Sequence, residues 1–303
     1  MSVRRIGRYE IECSLGSGGM GEVYRAWDPQ LRRHVAVKGL HHDKAGSERR
    51  ERLRREALSV AALSHPAVAH VHEIVTESEQ DWVVMEYVDG SSLADLVTAG
   101  PLAPAEVARV GSVIAEALAD AHRHGIIHRD VKPENVMVTS TGHVKVLDFG
   151  LAKWTGARAS EGDPITVEGM VVGTSKAMSP EQALGRPLDA RSDVFSLGSL
   201  LYEIASGRPA FRGTTPMDTM YKVSRGERTP LVEAAPDLPA TLVAVIEKCL
   251  AMRPSERYQS ADELSRVLRG LAGTGPDLSA AGRRPAGLIG RLSKLLRARG
   301  GTR

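Results

Sequence analysis

The run His128-Arg129-Asp130-Val131-Lys132-Pro133-Glu134-Asn135, followed by Asp148-Phe149-Gly150, is the most informative segment of this chain. Asp130 can accept the proton of an attacking hydroxyl, and Lys132 can neutralise a phosphate in transit. Asn135 and Asp148 offer the oxygen ligands that Mg²⁺ prefers when substrate phosphates complete its coordination. A base, a cation and two metal ligands in this order predict transfer of a phosphoryl group from a nucleotide to a hydroxyl.

A glycine-rich loop upstream supports the same chemistry. The sequence Gly16-Ser17-Gly18-Gly19-Met20-Gly21 lies between two segments that favour strands. On its own this pattern also occurs in dinucleotide-binding folds and in flexible hairpins. The residues at 22–27 favour a strand rather than a helix, so no helix N-terminus is offered to a pyrophosphate. We therefore expect a β-hairpin whose backbone N–H groups lie over nucleotide phosphates.

A lysine at the end of an apolar strand completes the predicted nucleotide site. The segment Val35-Ala36-Val37-Lys38 follows the glycine loop, and Lys38 can reach the α- and β-phosphates. Glu56, within a helix predicted over 47–63, is the candidate that holds Lys38 in position. Either residue alone would be read as an ordinary surface charge, so this interpretation depends on the combination.

Hydrophobic periodicity divides the chain into a strand-rich part and a helix-rich part, which predicts an α+β fold. Alternating patterns predict strands at 9–15, 22–27, 34–40, 68–75 and 82–88, around the single helix at 47–63. After Gly90, helical spacing predicts helices at 91–99, 104–124, 180–184, 191–206, 216–225, 240–250 and 260–270. Two short strands are predicted at 136–139 and 143–147.

Composition and charge restrict the class of protein. The 303 residues carry a net charge of +3, and their basic residues cluster at 49–55 and 283–303, which does not predict a nucleic-acid partner. The two cysteines, Cys13 and Cys249, lie far apart, as is typical of a reducing compartment, and the ten histidines lack zinc-site spacing. No apolar run approaches the roughly 18 residues of a membrane span, and no secretory signal is evident, so we expect a cytoplasmic protein.

These motifs together resemble the protein kinase domain of bacterial eukaryotic-like (Hanks-type) Ser/Thr kinases, over residues 9–271. The resemblance implies two lobes, a β-rich N-lobe at 9–85 with one regulatory helix and an α-rich C-lobe at 91–271, joined by a hinge at 86–90. An extension at 1–8 and a basic tail at 272–303 would flank the domain. ATP with Mg²⁺ or Mn²⁺ would bind between the lobes.

The resemblance also assigns roles to individual residues. Catalytic roles fall to Asp130, Lys132, Lys38 and Glu56, and metal binding to Asn135 and Asp148. Nucleotide binding is implied for Leu15, Gly16, Ser17, Gly18, Gly19, Met20, Gly21, Glu22, Val23, Ala36, Lys38, Met85, Glu86 and Val88. Ser179-Pro180-Glu181 resembles the end of an activation segment, with Asp193 and Arg257 as large-lobe residues and a buried Glu181–Arg257 pair as the expected contact.

Substrate class and regulation follow from the same resemblance. Lys132 with Thr174 resembles Ser/Thr kinases, whose substrates are proteins with Ser or Thr acceptors. Arg129 beside Asp130 suggests control by an anionic partner, and Thr166 is the candidate site of activating autophosphorylation. Ala177 stands where the family usually has an aromatic residue, which predicts a looser substrate-docking loop.

Alternative functions remain open from the sequence. A nucleotide-binding pseudokinase that acts as a scaffold usually lacks the lysine, the base or the metal acid, and all are present here. A small-molecule kinase would lack the set formed by Glu181, Asp193 and Arg257. Residues 283–299 could form a helix with basic and apolar faces that docks on a protein or a membrane surface, and self-association into a dimer is a further candidate interaction.

Overall fold

Antiparallel strands dominate the chain as far as Glu86. The computed structural model describes residues 4–18, 21–40, 60–77, 80–149 and 177–273 and residue 290. Six strands form one sheet in the order β1-β2-β3-β4-β6-β5. Their bounds are β1 Arg5–Ile6, β2 Tyr9–Gly18, β3 Gly21–Asp28, β4 Arg33–Gly39, β5 Val71–Glu77 and β6 Gln80–Glu86. The strands predicted at 9–15, 22–27, 34–40 and 82–88 are confirmed, with ends shifted by up to three residues.

The sheet has two apolar faces with different neighbours. Because Ala36 pairs with Met85 and Lys38 pairs with Val83, these four side chains share one face. Three of them, all except Lys38, belong to the large core that continues into the helical part of the chain. The opposite face carries a separate cluster of Ile6, Tyr9, Tyr24, Ala26, Val35, Val37, Trp82 and Val84. The face of Lys38 is therefore the one turned toward the helical lobe.

Gly21 ends the glycine loop in a conformation that an L-residue with a side chain rarely adopts. Its φ is +117°, and a Cβ placed there would lie 2.1 Å from the carbonyl oxygen of Gly39. Gly18 and Gly21 form the last pair of the β2–β3 ladder, so the loop is a hairpin turn, as predicted. A strand after the loop, not a helix, is what separates it from a dinucleotide fingerprint.

The strand predicted at 68–75 is wrong at its start, since β5 begins at Val71. The preceding segment pairs with the helical lobe instead: the Val146 N–H donates to the Ala67 carbonyl at 2.7 Å, and the Ala69 N–H donates to the Val146 carbonyl at 2.9 Å. This tertiary pairing removes Val68 from the sheet. Of the helix predicted over 47–63, only its last residues are described, with Val60 and Ala61 helical.

Helices dominate the chain after Gly90. They are α1 Leu93–Thr98, α2 Pro104–Arg123, α3 Pro180–Ala183, α4 Ala190–Ser206, α5 Pro216–Arg225, α6 Leu231–Ala234, α7 Ala240–Cys249 and α8 Ala261–Ala272. Seven of them confirm predictions, and α6 was not predicted. A second sheet contains β7 Gly90–Ser92, β8 Val136–Thr139 and β9 Val144–Val146, of which β7 was missed. Two 3₁₀ turns, Pro133–Asn135 and Pro254–Glu256, complete the described elements.

The central helix α4 organises the large lobe. Nearly all of its side chains are buried, and it packs against α2, α7 and α8. The core consists mainly of Val, Leu, Ile and Ala, as the low aromatic content of 4% predicts. No helix within the described ranges is long and apolar enough to cross a membrane. Most of the predicted tail, including 283–289 and 291–299, lies outside the described residues.

Candidate active site

The segment that carries Asp130 is anchored to the middle of the large lobe. Asp193, in the first turn of α4, is fully buried and accepts the backbone N–H of His128 on Oδ2 and that of Arg129 on Oδ1, both at 2.8 Å. His122, near the end of α2, donates its Nε2–H to Asp193 Oδ2 at 2.8 Å. Asp193 thus lies in the central helix of the large lobe, where the resemblance places it. Two helices fix the backbone just before Asp130.

Asp193 is ionised in this position. Burial alone would raise the pKa of its carboxyl, but the hydrogen bond from His122, the nearby His128 and the Arg129 N–H outweigh burial and hold the pKa below its ordinary value. Arg129, whose amide Asp193 accepts, has a φ of +70°, which is unusual for a residue with a side chain. The strained turn is held by hydrogen bonds to a buried charge.

His128 orients the loop through its ring. The Asp130 N–H donates to His128 Nδ1 at 3.3 Å, so Nε2 carries the proton and donates to the Leu147 carbonyl at 2.9 Å. The ring also lies 4.5 Å, centroid to centroid, from that of Phe149. The loop at 128–135 and the segment at 147–149 are thus packed as one unit.

The Asp130 side chain is positioned by the two residues that the sequence predicts beside it. Its Oδ2 lies 2.7 Å from Lys132 Nζ and accepts a hydrogen bond from Asn135 Nδ2 at 2.9 Å. Asn135 Nδ2 also donates to the Asp130 carbonyl at 2.8 Å. Among the described residues no hydrogen bond reaches Asp130 Oδ1. One carboxylate oxygen is held and the other is left to accept a proton.

Asp148 links this loop to the sheet. Lys38 Nζ lies 2.7 Å from Asp148 Oδ2, and both side chains are largely buried, at 5% and 18% exposed. Asp148 has a φ of +59° and follows β9 by two residues. The sequence did not predict this ion pair, since it placed Lys38 with Glu56, a residue outside the described ranges.

The two predicted metal ligands have suitable atoms to offer. Within the described residues, no hydrogen bond uses Oδ1 of Asn135 or Oδ1 of Asp148, and both are oxygen donors of the type that Mg²⁺ and Mn²⁺ bind. No group of three or more His, Cys, Asp or Glu side chains in the described part of the chain could hold a metal by itself. A metal there would need further oxygen ligands, which nucleotide phosphates supply.

The predicted nucleotide-binding residues fall into two groups. Val23, Ala36, Lys38 and Met85 share the inner face of the sheet, because their strands pair in register. Among these, Ala36 and Met85 are buried, and Val88, just after β6, is 9% exposed. An apolar wall suited to a planar base therefore lies beside a lysine suited to phosphates.

The remaining predicted nucleotide-binding residues lie away from the inner face of the sheet or at its edge. The Glu22 side chain alternates away from Val23 and accepts a hydrogen bond from the Tyr24 hydroxyl, so only its backbone borders the inner face. Leu15 is 47% exposed at an irregularity of β2, next to Gly16. Gly19 and Met20 lie outside the described residues, and Ser17 and Gly18 end β2.

Both the backbone N–H and the carboxylate of Glu86 have partners within the protein. Its N–H donates to the His70 carbonyl at 2.8 Å, and its carboxylate lies 2.8 Å from Lys145 Nζ on β9. The Glu86–Lys145 pair joins the sheet to the helical lobe, and sequence spacing gave no signal for it.

The buried pair expected between Glu181 and Arg257 is present. Arg257 Nη1 and Nη2 donate to the two Glu181 oxygens at 2.7 and 2.9 Å, and Ser192 Oγ donates to Oε1 at 2.7 Å. Burial would raise the pKa of Glu181, but the Arg257 and Ser192 hydrogen bonds lower it overall. This pair fixes the start of α3, and with it the described residues just before that helix, which begin at Ala177.

The residues predicted to control activity or substrate docking have different outcomes. Arg129 lies in the anchored loop beside Asp130. Thr166 and Thr174 lie outside the described residues. Ala177 is described and is 8% exposed, so this position is filled by a small buried side chain.

Comparison with known proteins agrees with this geometry. Residues 9–267 match the family model described as "Protein kinase domain". The chain is 44% identical over 278 residues to "Serine/threonine-protein kinase PknB" of Mycolicibacterium smegmatis, covering 89% of this chain and 44% of that protein. It is 44% identical over 268 residues to "Probable serine/threonine-protein kinase SCO3848" of Streptomyces coelicolor, covering 86% of this chain and 39% of that protein.

Solved structures give the same family at lower identity. The crystal structure of the Mycobacterium tuberculosis PknI kinase domain superposes with a TM-score of 0.68 at 28% identity, covering 89% of this chain and 98% of that one. The chain spans less than half the length of the curated relatives that it matches. With the family model matched over most of its residues, the chain belongs to the protein kinase domain family.

Proposed function

We propose that this chain is an ATP-dependent Ser/Thr protein kinase. The observation that carries the proposal is the state of Asp130, whose Oδ2 is held by Lys132 and Asn135 while Oδ1 remains unpaired among the described residues. Such a carboxylate can orient a substrate hydroxyl and accept its proton as the oxygen attacks the γ-phosphorus. The bond to the β-phosphate oxygen breaks, and ADP leaves.

Lysine side chains balance the charge in this reaction. Lys132 lies beside Asp130 and would offset charge on the transferred group. Lys38, next to Asp148, would position the α- and β-phosphates. Asn135 and Asp148 would hold Mg²⁺ or Mn²⁺ through their Oδ1 atoms, and a bound divalent ion neutralises phosphate charge.

The acceptors in this proposal are Ser and Thr residues of proteins, including the chain itself. The curated relatives carry the name serine/threonine-protein kinase. Lys132 is one of the residues that carry the resemblance to such kinases. Thr166 is the proposed autophosphorylation site, with Arg129 as the cation that its phosphate would engage. Autophosphorylation between copies would require a transient dimer.

Acceptor analysis tests this function. The purified chain is incubated with ATP labelled at the γ-phosphate, with Mg²⁺ or Mn²⁺ and a generic protein substrate, and the labelled protein is hydrolysed to amino acids. We expect phosphoserine and phosphothreonine, in the substrate and in the chain. Label on tyrosine, or on a small molecule alone, would contradict the assignment.

The scaffold alternative is distinguished by nucleotide turnover. A pseudokinase would bind nucleotide, and this binding would raise the melting temperature of the protein, but no label would be transferred. Lys38, Asp130 and Asp148 lie together in the described site, and no observation favours loss of catalysis. Docking through 283–299 on a protein or a membrane surface stays a proposal; liposome sedimentation with and without residues 283–303 tests its membrane form.

A further inference from the structure

The side-chain amide of Gln182 uses its two ends for different partners. Its Oε1 accepts the backbone N–H of Ser179 at 2.9 Å, and the backbone N–H of Gln182 donates to Ser179 Oγ at 3.3 Å. Its Nε2 donates to the carbonyl of Arg129 at 2.8 Å. Gln182 therefore joins the start of α3 to the loop that carries Asp130.

Only the oxygen of this amide is needed to cap the helix. A capping box satisfies the N-cap amide through a side-chain acceptor at the third helical position, which Glu provides as well as Gln. The side-chain N–H donor of Gln182 adds nothing to the cap. It acts on a residue 53 positions earlier in the chain.

The carbonyl that Gln182 holds belongs to a strained residue. Arg129 has a φ of +70°, its N–H is held by Asp193, and its carbonyl is held by Gln182. The same carbonyl group is part of the peptide bond to Asp130, so its orientation sets the direction from which the Asp130 side chain leaves the backbone. Two elements, α3 and α4, thus fix this turn from opposite ends.

We propose that Gln182 is a positioning residue that couples the segment at 177–181 to the orientation of Asp130. The proposal deepens the kinase function proposed above and rests on it. The segment ending in Glu181 is the one expected to dock the acceptor, and Gln182 belongs to the helix that Glu181 and Arg257 anchor. Through Gln182 the docking segment and the general base share one hydrogen-bonded frame.

Replacing the side-chain NH₂ group of Gln182 by an oxygen tests this role. Gln182→Glu has the same shape and keeps the acceptor for Ser179, but it loses the donor and turns a carboxylate oxygen toward the Arg129 carbonyl. We expect kcat for phosphorylation of a protein substrate to fall roughly 10- to 100-fold at neutral pH. The KM for ATP should change less than about twofold, since the nucleotide contacts are untouched. An unchanged kcat would overturn the proposal.

The pH profile of the Gln182→Glu variant separates positioning from loss of structure. Protonation of the introduced carboxyl restores a donor, so the ratio of variant to wild-type kcat should rise as the pH falls toward the pKa of that carboxyl. The charged groups joined to this position by the contacts above are Arg129 and Asp130 on the loop, Asp193 on α4, and Glu181 with its partner Arg257. Helix α5, which packs against α3, also carries Asp218, Lys222 and Arg225. They are the same in both proteins and largely cancel in the ratio. A ratio independent of pH would count against the proposal.

Gln30→Glu is the matched control, because Gln30 is an exposed residue of the β3–β4 turn and its replacement adds the same charge outside both the loop and α3. It should leave kcat and its pH profile unchanged. Hydrogen exchange gives a readout that needs no activity: amides at 128–131 should exchange faster in Gln182→Glu than in wild type or control. Equal protection would overturn the proposal, even if the wild-type chain transferred no phosphate and the kinase function itself had failed.

Discussion

The role that each side chain can take in this site depends on which of its atoms already form hydrogen bonds or ion pairs. Asp130, Asn135 and Asp148 each use one atom to hold the site together and leave an oxygen unpaired among the described residues. The types and order of these residues could be read from the sequence. The contact of Lys38 with Asp148 could not, because it joins residues 110 positions apart that only the packing of the two lobes brings together.

Replacing Lys38 should disable phosphoryl transfer without unfolding the protein. We expect Lys38→Met to lower kcat/KM for ATP by roughly 10²- to 10³-fold, since a fixed cation at the phosphates is lost. Steady-state kinetics with varied ATP would measure this. Lys248→Met, at a 45% exposed lysine on α7, is the control and should keep wild-type kinetics. Equal activity in both variants would exclude Lys38 from the nucleotide site.

At the scale of elements, α3 is stabilised by one buried ion pair. Removing the Arg257 cation leaves Glu181 as a buried, unpaired charge, so Arg257→Met should cost on the order of 3 to 5 kcal/mol of unfolding free energy. Urea unfolding would measure the loss. The exposed pair Arg253–Glu256, at 80% and 52% exposure, is the matched control, and its removal should cost less than about 1 kcal/mol. Similar losses at the two sites would contradict this account of α3.

Strand β5 should make the protein sensitive to mild acid. Burial, helped by Arg33 and His70, lowers the pKa of His72 to about 4 from 6.5. The unfolded chain therefore binds this proton first as the pH falls, and stability should decrease between about pH 6.5 and 4. His72→Phe should reduce that decrease. Some slope should remain, because burial also lowers the pKa of His65.

Urea midpoints measured between about pH 7 and 5 would check the contribution of His72. His143→Asn replaces an exposed histidine and should retain the wild-type pH dependence. A wild-type slope that persists undiminished in His72→Phe would show that other groups cause it.

The observed bounds of the helices and strands show which elements can be predicted from the sequence pattern. The helix at 216–225 was predicted without error, because Pro216 begins it, Gly226 ends it and its apolar residues keep one spacing. Strands β1 and β7 and helix α6 are too short to show a period. The predicted start of β5 was wrong because residues 67–69 pair with β9, and this tertiary contact overrides the local preference for a strand.

In the whole molecule, an ion pair beside the proposed nucleotide site joins the two lobes. Lys145 on β9 reaches Glu86 at the end of β6, and its Nζ lies 3.5 Å from the Val68 carbonyl. Because β9 leads directly to Asp148, this pair connects the end of β6, where we propose that adenine binds, to the proposed metal ligand Asp148.

Breaking that tie should weaken nucleotide binding more than catalysis. We expect Lys145→Met to raise the KM for ATP about 3- to 10-fold, because this change corresponds to the free energy of a partly exposed ion pair. The kcat should change little. Exchanging the charges with Glu86→Lys and Lys145→Glu together should recover part of the loss. Lys222→Met, at a lysine of 33% exposure on α5, should leave the KM unchanged. A lower kcat at constant KM would contradict this role.

Phosphoryl transfer by Asp130→Asn, compared with the wild-type chain, tests the assignment of the general base most directly. The substitution keeps the size of the side chain and removes the carboxylate. With labelled ATP and Mg²⁺, the account predicts that kcat falls roughly 10²- to 10⁴-fold. The dissociation constant for ATP, measured by calorimetry on the same samples, should stay within about threefold. A variant that transfers label at the wild-type rate, or a wild-type chain that binds ATP and transfers none, would contradict it.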